Sequence, residues 1–365
     1  MEVTGKVIQG KYYDSVSLMR VSKRINEEEG IEDSSIVMGT HENKAILKAA
    51  GLFLDEFENT SDNELLVAVK GKRAREIIEK LDDFLAILKV EDKQDSQIKP
   101  KSISKAKEML PGANLALISI AGKYAAGEAK KALKLGMNVM LFSDNVSLED
   151  EISLKEEAQA KDLIVMGPDC GTAIINGTPL AFANVVNRGD IGIVAASGTG
   201  LQEVSTLISN GGKGISQAIG TGGRDVKKDV GGISFLQGIK MLAQDDNTKT
   251  IVLVSKPPHE EVMKKIIEEV KKTNKKTIAV FLGGNEKLLQ ENGIMPATTL
   301  EDAANLALGW NKNNFKHLDL LVKNIKRELK PEQKYIRALY SGGTFTAETQ
   351  IIWSEMLGEF YSNVP

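Results

Sequence analysis

The feature that most constrains this chain is a repeated order of short apolar run, glycine-containing turn and amphipathic segment. Glycine accounts for 33 of the 365 residues, and many of these glycines directly follow an apolar run. Strand, glycine turn and helix in repetition is typical of α/β domains with parallel sheets. Because a domain usually takes roughly 100–200 residues, we expect two or three domains of this α/β class.

The composition argues against several classes of function. Lys and Arg number 47 against 50 for Asp and Glu, a net charge of -3, so the basic excess typical of nucleic-acid binding is missing. We find no apolar run of about 18 residues and no signal peptide at the start, so we expect no membrane partner. The single cysteine, Cys170, excludes an internal disulfide and favours a cytoplasmic location. The three histidines lack metal-ligand spacing, so no metal site is expected.

Residues 1–90 predict a small α+β N-terminal domain with a βαββαβ-like order. The predicted strands are Val3–Ile8, Ser35–Met38 and Leu65–Val69, and the predicted helices are Ser15–Glu29, Lys44–Ala50 and Arg73–Leu88. Residues 91–105 are polar, include a proline and show no hydrophobic period. They are interpreted as a linker.

Residues 106–188 predict a Rossmann-like layer of the CoA-binding type. Apolar runs at 115–121, 138–142 and 163–166 alternate with helical patterns at 122–135 and 148–160. The last run ends in a turn that we expect to line a pocket; its residues are Gly167, Pro168, Asp169 and Cys170. No neighbour in sequence lowers the pKa of Cys170, so this thiol is interpreted as packing or pocket lining.

Residues 189–311 predict a flavodoxin-like, doubly wound parallel-sheet domain of five strands. After a charged stretch, residues 335–365 supply one more unit, with a strand at Tyr335–Tyr340 and a helix to about Leu357. A single βα unit cannot bury both faces of its strand. Either this tail docks on the preceding domain or it starts a second flavodoxin-like domain that is cut short, and we favour the second alternative.

The two last segments share a motif, which suggests an internal duplication. Ser197-Gly198-Thr199 follows an apolar run and precedes Glu203, and Ser341-Gly342-Gly343-Thr344 precedes Glu348 in the same way. The threonines are 145 residues apart (344 − 199), and so are the two glutamates (348 − 203). Each glutamate lies one turn inside its helix, where we expect it to pair or cap rather than to act as a base.

These turns have the chemistry of an anion site. The first N–H groups of a helix lack intrahelical partners, and a glycine lets an anion approach them closely. Because parallel strands end at one edge of the sheet, Ser197, Gly198 and Thr199 would lie beside Gly222 and Gly223. Arg224 would add a cation there. The alternatives are that Thr199 is only an N-cap, Gly198 only a tight turn, and Arg224 with Asp225 only a surface ion pair.

The order of these motifs resembles the succinyl-CoA synthetase α subunit, over roughly Leu115 to Leu308. The matching residues are Gly167-Pro168-Asp169-Cys170, Gly192-Ile193-Val194, Ser197-Gly198-Thr199 with Glu203, and Gly222-Gly223 followed by Asp225. Together with Phe142–Asn145 and Tyr340–Thr344, they resemble the FdrA family, in which an α-like region is fused to a β-like domain. The resemblance implies that the turns at 197–199 and 341–344 are the two helix termini that hold a phosphohistidine in the synthetases.

The chain departs from the synthetases where their chemistry resides. The loop at 283–293 contains no histidine, and Lys256-Pro257-Pro258 stands where an assisting glutamate would be expected. Residues 1–90 show no CoA-type glycine loop, and no ATP-grasp domain is found. A phosphoryl relay without its nucleophile cannot run, so the catalytic residues stay unknown.

The resemblance therefore implies an FdrA-type subunit of a carbamoyltransferase complex acting on oxamate and carbamoyl phosphate in purine (allantoin) catabolism. An acyl-CoA synthetase subunit and a non-catalytic scaffold are the alternatives. Carbamoyl phosphate or CoA are the possible ligands, with no cofactor assigned. We expect other protein subunits as partners, an oligomer, and a chain that is not active alone.

Overall fold

A computed structural model describes residues 3–9, 13, 15–86, 100–310, 323–340 and 342–364. The chain divides into two compact units, Met1–Lys99 and Pro100–Pro365. Within the described ranges, no helix combines the length and the apolar character that a bilayer crossing requires.

The first unit is built on a three-stranded antiparallel sheet whose central strand is buried on both faces. Its strands lie in the order β1-β3-β2. Val67 and Val69 of the central strand pack beneath the first helix, and Leu66 and Ala68 pack around Phe57 on the opposite face. The elements are β1 (Val3–Ile8), α1 (Ser15–Asn26), β2 (Ile31–Met38), α2 (His41–Ala49), a 3-10 helix (Asp55–Phe57), β3 (Leu65–Gly71) and α3 (Ala74–Glu79).

The second unit begins with a helix that the sequence did not predict. Helix α4 (Ile103–Met109) starts inside the predicted linker 91–105, of which residues 91–99 lie outside the described part. Ser102 is its N-cap and accepts a hydrogen bond from the Lys105 N–H at 3.2 Å. The end of the predicted linker therefore contains a serine cap and the start of a short helix.

A three-stranded parallel sheet follows, as predicted for a Rossmann-like layer. Strands β4 (Leu115–Ile118), β5 (Asn138–Leu141) and β6 (Val165–Met166) lie in chain order and are joined by α5 (Gly122–Lys134) and α6 (Leu148–Ala160).

A seven-stranded sheet forms the rest of the second unit, in the order β13-β12-β11-β9-β10-β7-β8. The five strands β9 to β13 are parallel and lie in the order β10-β9-β11-β12-β13, which is the flavodoxin-like order. The strands are β7 (Thr172–Ile175), β8 (Thr178–Ala181), β9 (Arg188–Ala195), β10 (Ile215–Gly220), β11 (Thr250–Ser255), β12 (Lys276–Phe281) and β13 (Met295–Pro296).

The antiparallel hairpin β7–β8 was missed. It lies within residues 106–188 but pairs with the seven-stranded sheet, so this sheet begins earlier than the predicted boundary at 188. Asn176 and Gly177 connect its strands, with φ of 51° and 78°. Asn-Gly between two short strands is a strong hairpin signal, and it was present in the sequence.

Helices cover both faces of the parallel strands. Ile193 and Ala195 of β9 face the core under α7 and α11, whereas Val194 between them faces the core under α8 and α9. This alternation explains the unbroken apolar run of β9, since strands of doubly wound sheets are buried on both faces. The helices are α7 (Gly198–Asn210), α8 (Ile233–Gln244), α9 (Glu260–Lys271), α10 (Glu286–Glu291), α11 (Leu300–Leu308) and α12 (Gly343–Met356).

The predicted strand at Tyr335–Tyr340 does not form. The segment is in no sheet of the described residues, and Leu339 is 98% exposed. A strand needs a neighbour for its backbone groups, and none is paired with it here. Helix α12 nevertheless packs against the seven-stranded sheet domain, because Phe345 and Ile351 contact the core beneath α7 and α11.

A buried ionic network joins the two sheets of the second unit. Lys155 Nζ on α6 lies 2.7 Å from Glu151 Oε1 and 2.7 Å from Asp225 Oδ1, and all three side chains are at most 1% exposed. Asp225 also accepts the N–H groups of Ser234 and Phe235 at 3.2 and 2.7 Å, at the start of α8. The network therefore fixes the turn after β10 to helices on both sides of it.

We expect Lys155→Met to lower the free energy of unfolding by about 3–5 kcal/mol, because it leaves the buried carboxylate of Asp225 without its cation and removes one of the two cations that contact Glu151. Urea unfolding followed by circular dichroism measures this loss. Lys130→Met, on the exposed face of α5, is the matched control and should change stability by less than about 0.5 kcal/mol. A loss in Lys155→Met no larger than that of the control would show that the network does not stabilise the fold.

Candidate anion-binding site

A cavity of about 460 Å³ opens at the carboxyl ends of the central parallel strands. The turn after β9, the turn after β10 and the end of β11 contribute to its lining, as does the start of α12. The sequence-predicted residues that line it are Asp169, Cys170, Ser197, Gly198, Thr199, Gly222, Gly223, Gly343 and Thr344. The structure thus brings most of the predicted site residues together, although Gly167, Pro168 and Gly342 are not part of this lining.

The start of α7 forms one part of the cavity. Ser197 is the N-cap, and its Oγ accepts the Gly200 N–H at 2.9 Å. The alternative that Thr199 is the cap is therefore wrong, since Thr199 lies inside the first turn. The N–H groups of Gly198 and Thr199 belong to the first helical turn and have no intrahelical acceptor.

The start of α12 meets the start of α7. Ser197 Oγ lies 2.8 Å from Thr344 Oγ1, within hydrogen-bonding distance. Gly342 caps α12 with φ of 109° and offers no side-chain cap. A Cβ on Gly342 would lie 3.4 Å from Thr199 Oγ1. Two helix N-termini therefore converge on one cavity, while Ser341 lies outside the described residues.

The turn after β10 approaches the turn after β6. Gly222 has φ of 83°, and a Cβ there would collide with the carbonyl oxygen of Pro168. Asp169 lines the cavity beside this contact and has φ of 58°. Burial raises the pKa of its carboxyl, and the nearby Asp144 raises it further.

Cys170 lines the cavity as a buried thiol, in the position predicted for pocket lining. Its Sγ lies 3.3 Å from the Gly220 carbonyl oxygen and is 2% exposed. Burial raises the pKa of this thiol to about 12. Since the thiolate is the nucleophile, Cys170 is an unreactive group at neutral pH.

We expect Cys170 in the native chain to react with Ellman's reagent at least about tenfold more slowly than the same thiol in urea at pH 8, because the buried thiol is protonated. The urea sample is the control, since this is the chain's single cysteine. Equal rates in the two samples would mean that the thiol is accessible and ionised in the fold.

Arg224 is not part of the cavity lining, contrary to its predicted place beside the anion. Its Nε lies 2.8 Å from Glu151 Oε2, and its Nη2 donates to the Val146 carbonyl oxygen at 2.9 Å. The alternative of a surface pair with Asp225 is also wrong, because Asp225 is buried and pairs with Lys155. Arg224 belongs to the ionic network instead.

Glu348 caps a helix, in agreement with the expectation that it pairs or caps. Its Oε1 accepts the N–H of Leu300, the first residue of α11, at 2.6 Å. Burial raises the pKa of this carboxyl, the Leu300 N–H lowers it, and the negative charge of Glu203 raises it again. The contact holds α12 against α11 and so supports the meeting of the two helix termini.

The raised pKa of Glu348 predicts a pH dependence of stability. The folded chain binds this proton more tightly than the unfolded chain does, so the protonated carboxyl favours folding and its contribution is lost as pH rises above about 4.5 through the folded pKa. We expect Glu348→Gln to reduce this decline in urea unfolding between pH 4 and pH 7. Glu355→Gln is the control, on the same helix but with an exposed side chain. Identical pH profiles for wild type and Glu348→Gln would contradict the expectation.

Two basic residues that line the cavity were not predicted as site residues from the sequence. Lys227 follows the Gly222-Gly223 turn, and Lys256 follows β11. Sequence reasoning treated Lys256 only as the loss of a synthetase glutamate. Its position directly after a parallel strand was the signal that could have placed it at the shared sheet edge.

Comparison with known proteins identifies two family models in the chain. The model described as "AllF, heavy metal-associated domain" matches residues 1–101, and the "CoA binding domain" model matches residues 186–283. The CoA-binding match lies almost wholly within the segment predicted as flavodoxin-like, residues 189–311, whereas nearly all of the segment predicted as CoA-binding-type, residues 106–188, lies outside the match. Soft metals prefer thiolate ligands, and residues 1–101 contain no cysteine, so this segment offers no thiolate ligand for a metal.

Three curated relatives show how the chain compares with longer proteins. It is 42% identical over 360 residues to the uncharacterized protein YahF of Escherichia coli K12, covering 97% of this chain and 70% of YahF. It is 27% identical to the ADP-forming sulfoacetate-CoA ligase subunit SqwL of an Acholeplasma species, over 42% of this chain and 53% of that protein. It is 24% identical to the ADP-forming succinate–CoA ligase subunit alpha 1 of Archaeoglobus fulgidus, over 47% of this chain and 58% of that subunit.

The extent of these matches differs between the two groups of relatives. The YahF match runs over nearly the whole chain, whereas the ligase subunits match less than half of it and the chain spans little more than half of their length. Three observations indicate the same family. They are the match with YahF over nearly the whole chain, the AllF-type and CoA-binding segments, and the flavodoxin-like sheet. The chain belongs to the FdrA-like family of succinyl-CoA synthetase-like proteins, together with YahF.

Proposed function

We propose that this chain is the subunit of a carbamoyltransferase that holds carbamoyl phosphate, in a complex that uses oxamate in purine (allantoin) catabolism. The observation that supports this most is the meeting of two helix N-termini, with Ser197 Oγ 2.8 Å from Thr344 Oγ1, at one cavity. The phosphate lies between Ser197, Gly198 and Thr199 on one helix and Gly343 and Thr344 on the other.

The physical basis of the proposal is the charge at the helix starts. Each helix N-terminus has the equivalent of roughly half a positive charge and several free N–H donors. Two such termini at one cavity bind a phosphate group by hydrogen bonds and by electrostatic attraction together. The hydroxyl groups of Thr199 and Thr344 add further donors, and Gly222 and Gly223 let the ligand approach the backbone.

The same arrangement suits transfer of the carbamoyl group. The nitrogen of the acceptor forms a bond to the carbonyl carbon, the bond from that carbon to the phosphate oxygen breaks, and phosphate leaves with the electron pair. The nitrogen loses one proton, which the leaving phosphate takes up. Donors that are already fixed in place stabilise the charge on the leaving phosphate. No histidine is among the described residues that line the cavity, and this reaction needs no phosphohistidine.

The second candidate is an acyl-CoA ligase subunit, which the names of two curated relatives and the CoA-binding family match favour. In that case a partner chain supplies the nucleophile. A third candidate, a scaffold that keeps the fold without binding a ligand, predicts an empty site.

We expect carbamoyl phosphate to raise the melting temperature of the 365-residue chain, because a ligand that binds only the folded state stabilises it by mass action. Thr344→Val should weaken binding by roughly tenfold, the effect of a lost hydrogen bond to a charged group. Scanning calorimetry with carbamoyl phosphate, CoA and ATP in separate samples is the measurement.

The control variant is Thr206→Val, on the same helix as Thr199 but outside the cavity lining. It should bind carbamoyl phosphate as the wild type does. A stabilisation by CoA with none by carbamoyl phosphate would favour the ligase subunit over the proposal. Absence of any shift with all three ligands would favour the scaffold.

A further inference from the structure

Two lysines line the cavity without a carboxylate partner among the described residues. Lys227 comes from the loop that leads from β10 to α8, and Lys256 comes from the end of β11. The two loops are joined, since the His259 N–H donates to the Val226 carbonyl oxygen at 3.0 Å. The lysines therefore belong to one side of the cavity.

The helix termini belong to the other side. Helices α7 and α12 lie over the face of the sheet that contains Ile193 and Ala195. The loop bearing Lys227 leads into α8, which packs on the opposite face with Val194. The cavity at the end of β9 thus has one side formed by the starts of two helices, with backbone N–H donors, and another side formed by the two lysines.

The charges of the lining are not balanced within the cavity. Among the described residues that line it, Lys227 and Lys256 are basic and Asp169 alone is acidic. The two helix termini add further positive charge. A cavity that concentrates positive charge attracts anions, and one phosphate group at the helix termini would leave the lysine side unneutralised.

The volume also exceeds what a phosphate group needs. The cavity measures about 460 Å³, and a water molecule takes up about 30 Å³ of liquid. A phosphate group would leave space for a further small molecule or for a longer ligand. The space that a phosphate group would not occupy includes the part of the cavity lined by Lys227 and Lys256.

We propose that Lys227 and Lys256 form a second anion subsite, which binds a carboxylate while a phosphate lies at the helix termini. This rests on the proposed function for the phosphate side, and it adds the residues that bind the carboxylate of the other ligand group. The site then takes either a carboxylate-bearing acceptor beside the phosphate donor or one molecule with both groups. A neutral group of the same size gains no ion pair there and binds less tightly.

Two stable probes that share a phosphonate group test the proposal. Phosphonoacetate has a phosphonate and a carboxylate, and ethylphosphonate has a methyl group in place of the carboxylate. With the full 365-residue chain in isothermal titration calorimetry, phosphonoacetate should bind roughly tenfold more tightly, the effect of a charge-assisted hydrogen bond. Lys227→Met and Lys256→Met should each bring the ratio of the two dissociation constants towards one, and added salt should do the same.

The controls separate this proposal from the proposed function. Lys264→Met, an exposed lysine on α9 outside the lining, should keep the wild-type ratio. Equal affinity for the two probes, with both weakened by Thr344→Val, would overturn the lysine subsite and leave the phosphate site standing. A ratio that is unchanged in both cavity-lysine variants would also overturn the subsite. Failure of both probes to bind would overturn the phosphate site and the subsite together.

Discussion

The rest of the candidate site depends on one constraint, which is that the first turn of a helix leaves N–H donors without partners. In this chain two helices begin at the same place, and the hydroxyl groups of Ser197 and Thr344 lie 2.8 Å apart. Neither helix alone distinguishes a binding site from an ordinary capped end, because Ser197 caps α7 as serines commonly do. The juxtaposition of two helix starts over a cavity, at the edge where the parallel strands end, is the observation on which the proposed anion site rests.

Polar contacts around the candidate site hold the glycine turn after β10 and the start of α12 in place. Asp225 receives Lys155 from α6 and the first N–H groups of α8, so the glycine turn before it cannot move independently of either helix. On the other side of the sheet, Glu348 accepts the Leu300 N–H and fixes α12 to the start of α11. Breaking a buried pair by removing one partner is strongly destabilising, so these contacts tie the geometry of the site to the stability of the fold.

Much of the fold could be predicted from the sequence, because strands buried on both faces and glycine-rich turns leave a clear pattern. Helix α6 begins and ends at the predicted residues, and β11 matches its prediction as well. The strand at 335–340 was wrong because a pattern cannot report whether a neighbouring strand is present. The hairpin at Asn176-Gly177 was missed although its turn signal was in the sequence.

The site was predicted less completely than the fold, for a physical reason. Ser197 and Thr344 could be paired through the repeat, but the direction of a long side chain depends on contacts far away in sequence. Arg224 turns to Glu151, 73 positions earlier (224 − 151), and Lys227 is the basic residue of this loop that lines the cavity. The two halves of the candidate site therefore belong to chain segments that are distant in sequence. A ligand held by both would tighten the docking of α12 by the same free energy by which docking tightens the binding of the ligand.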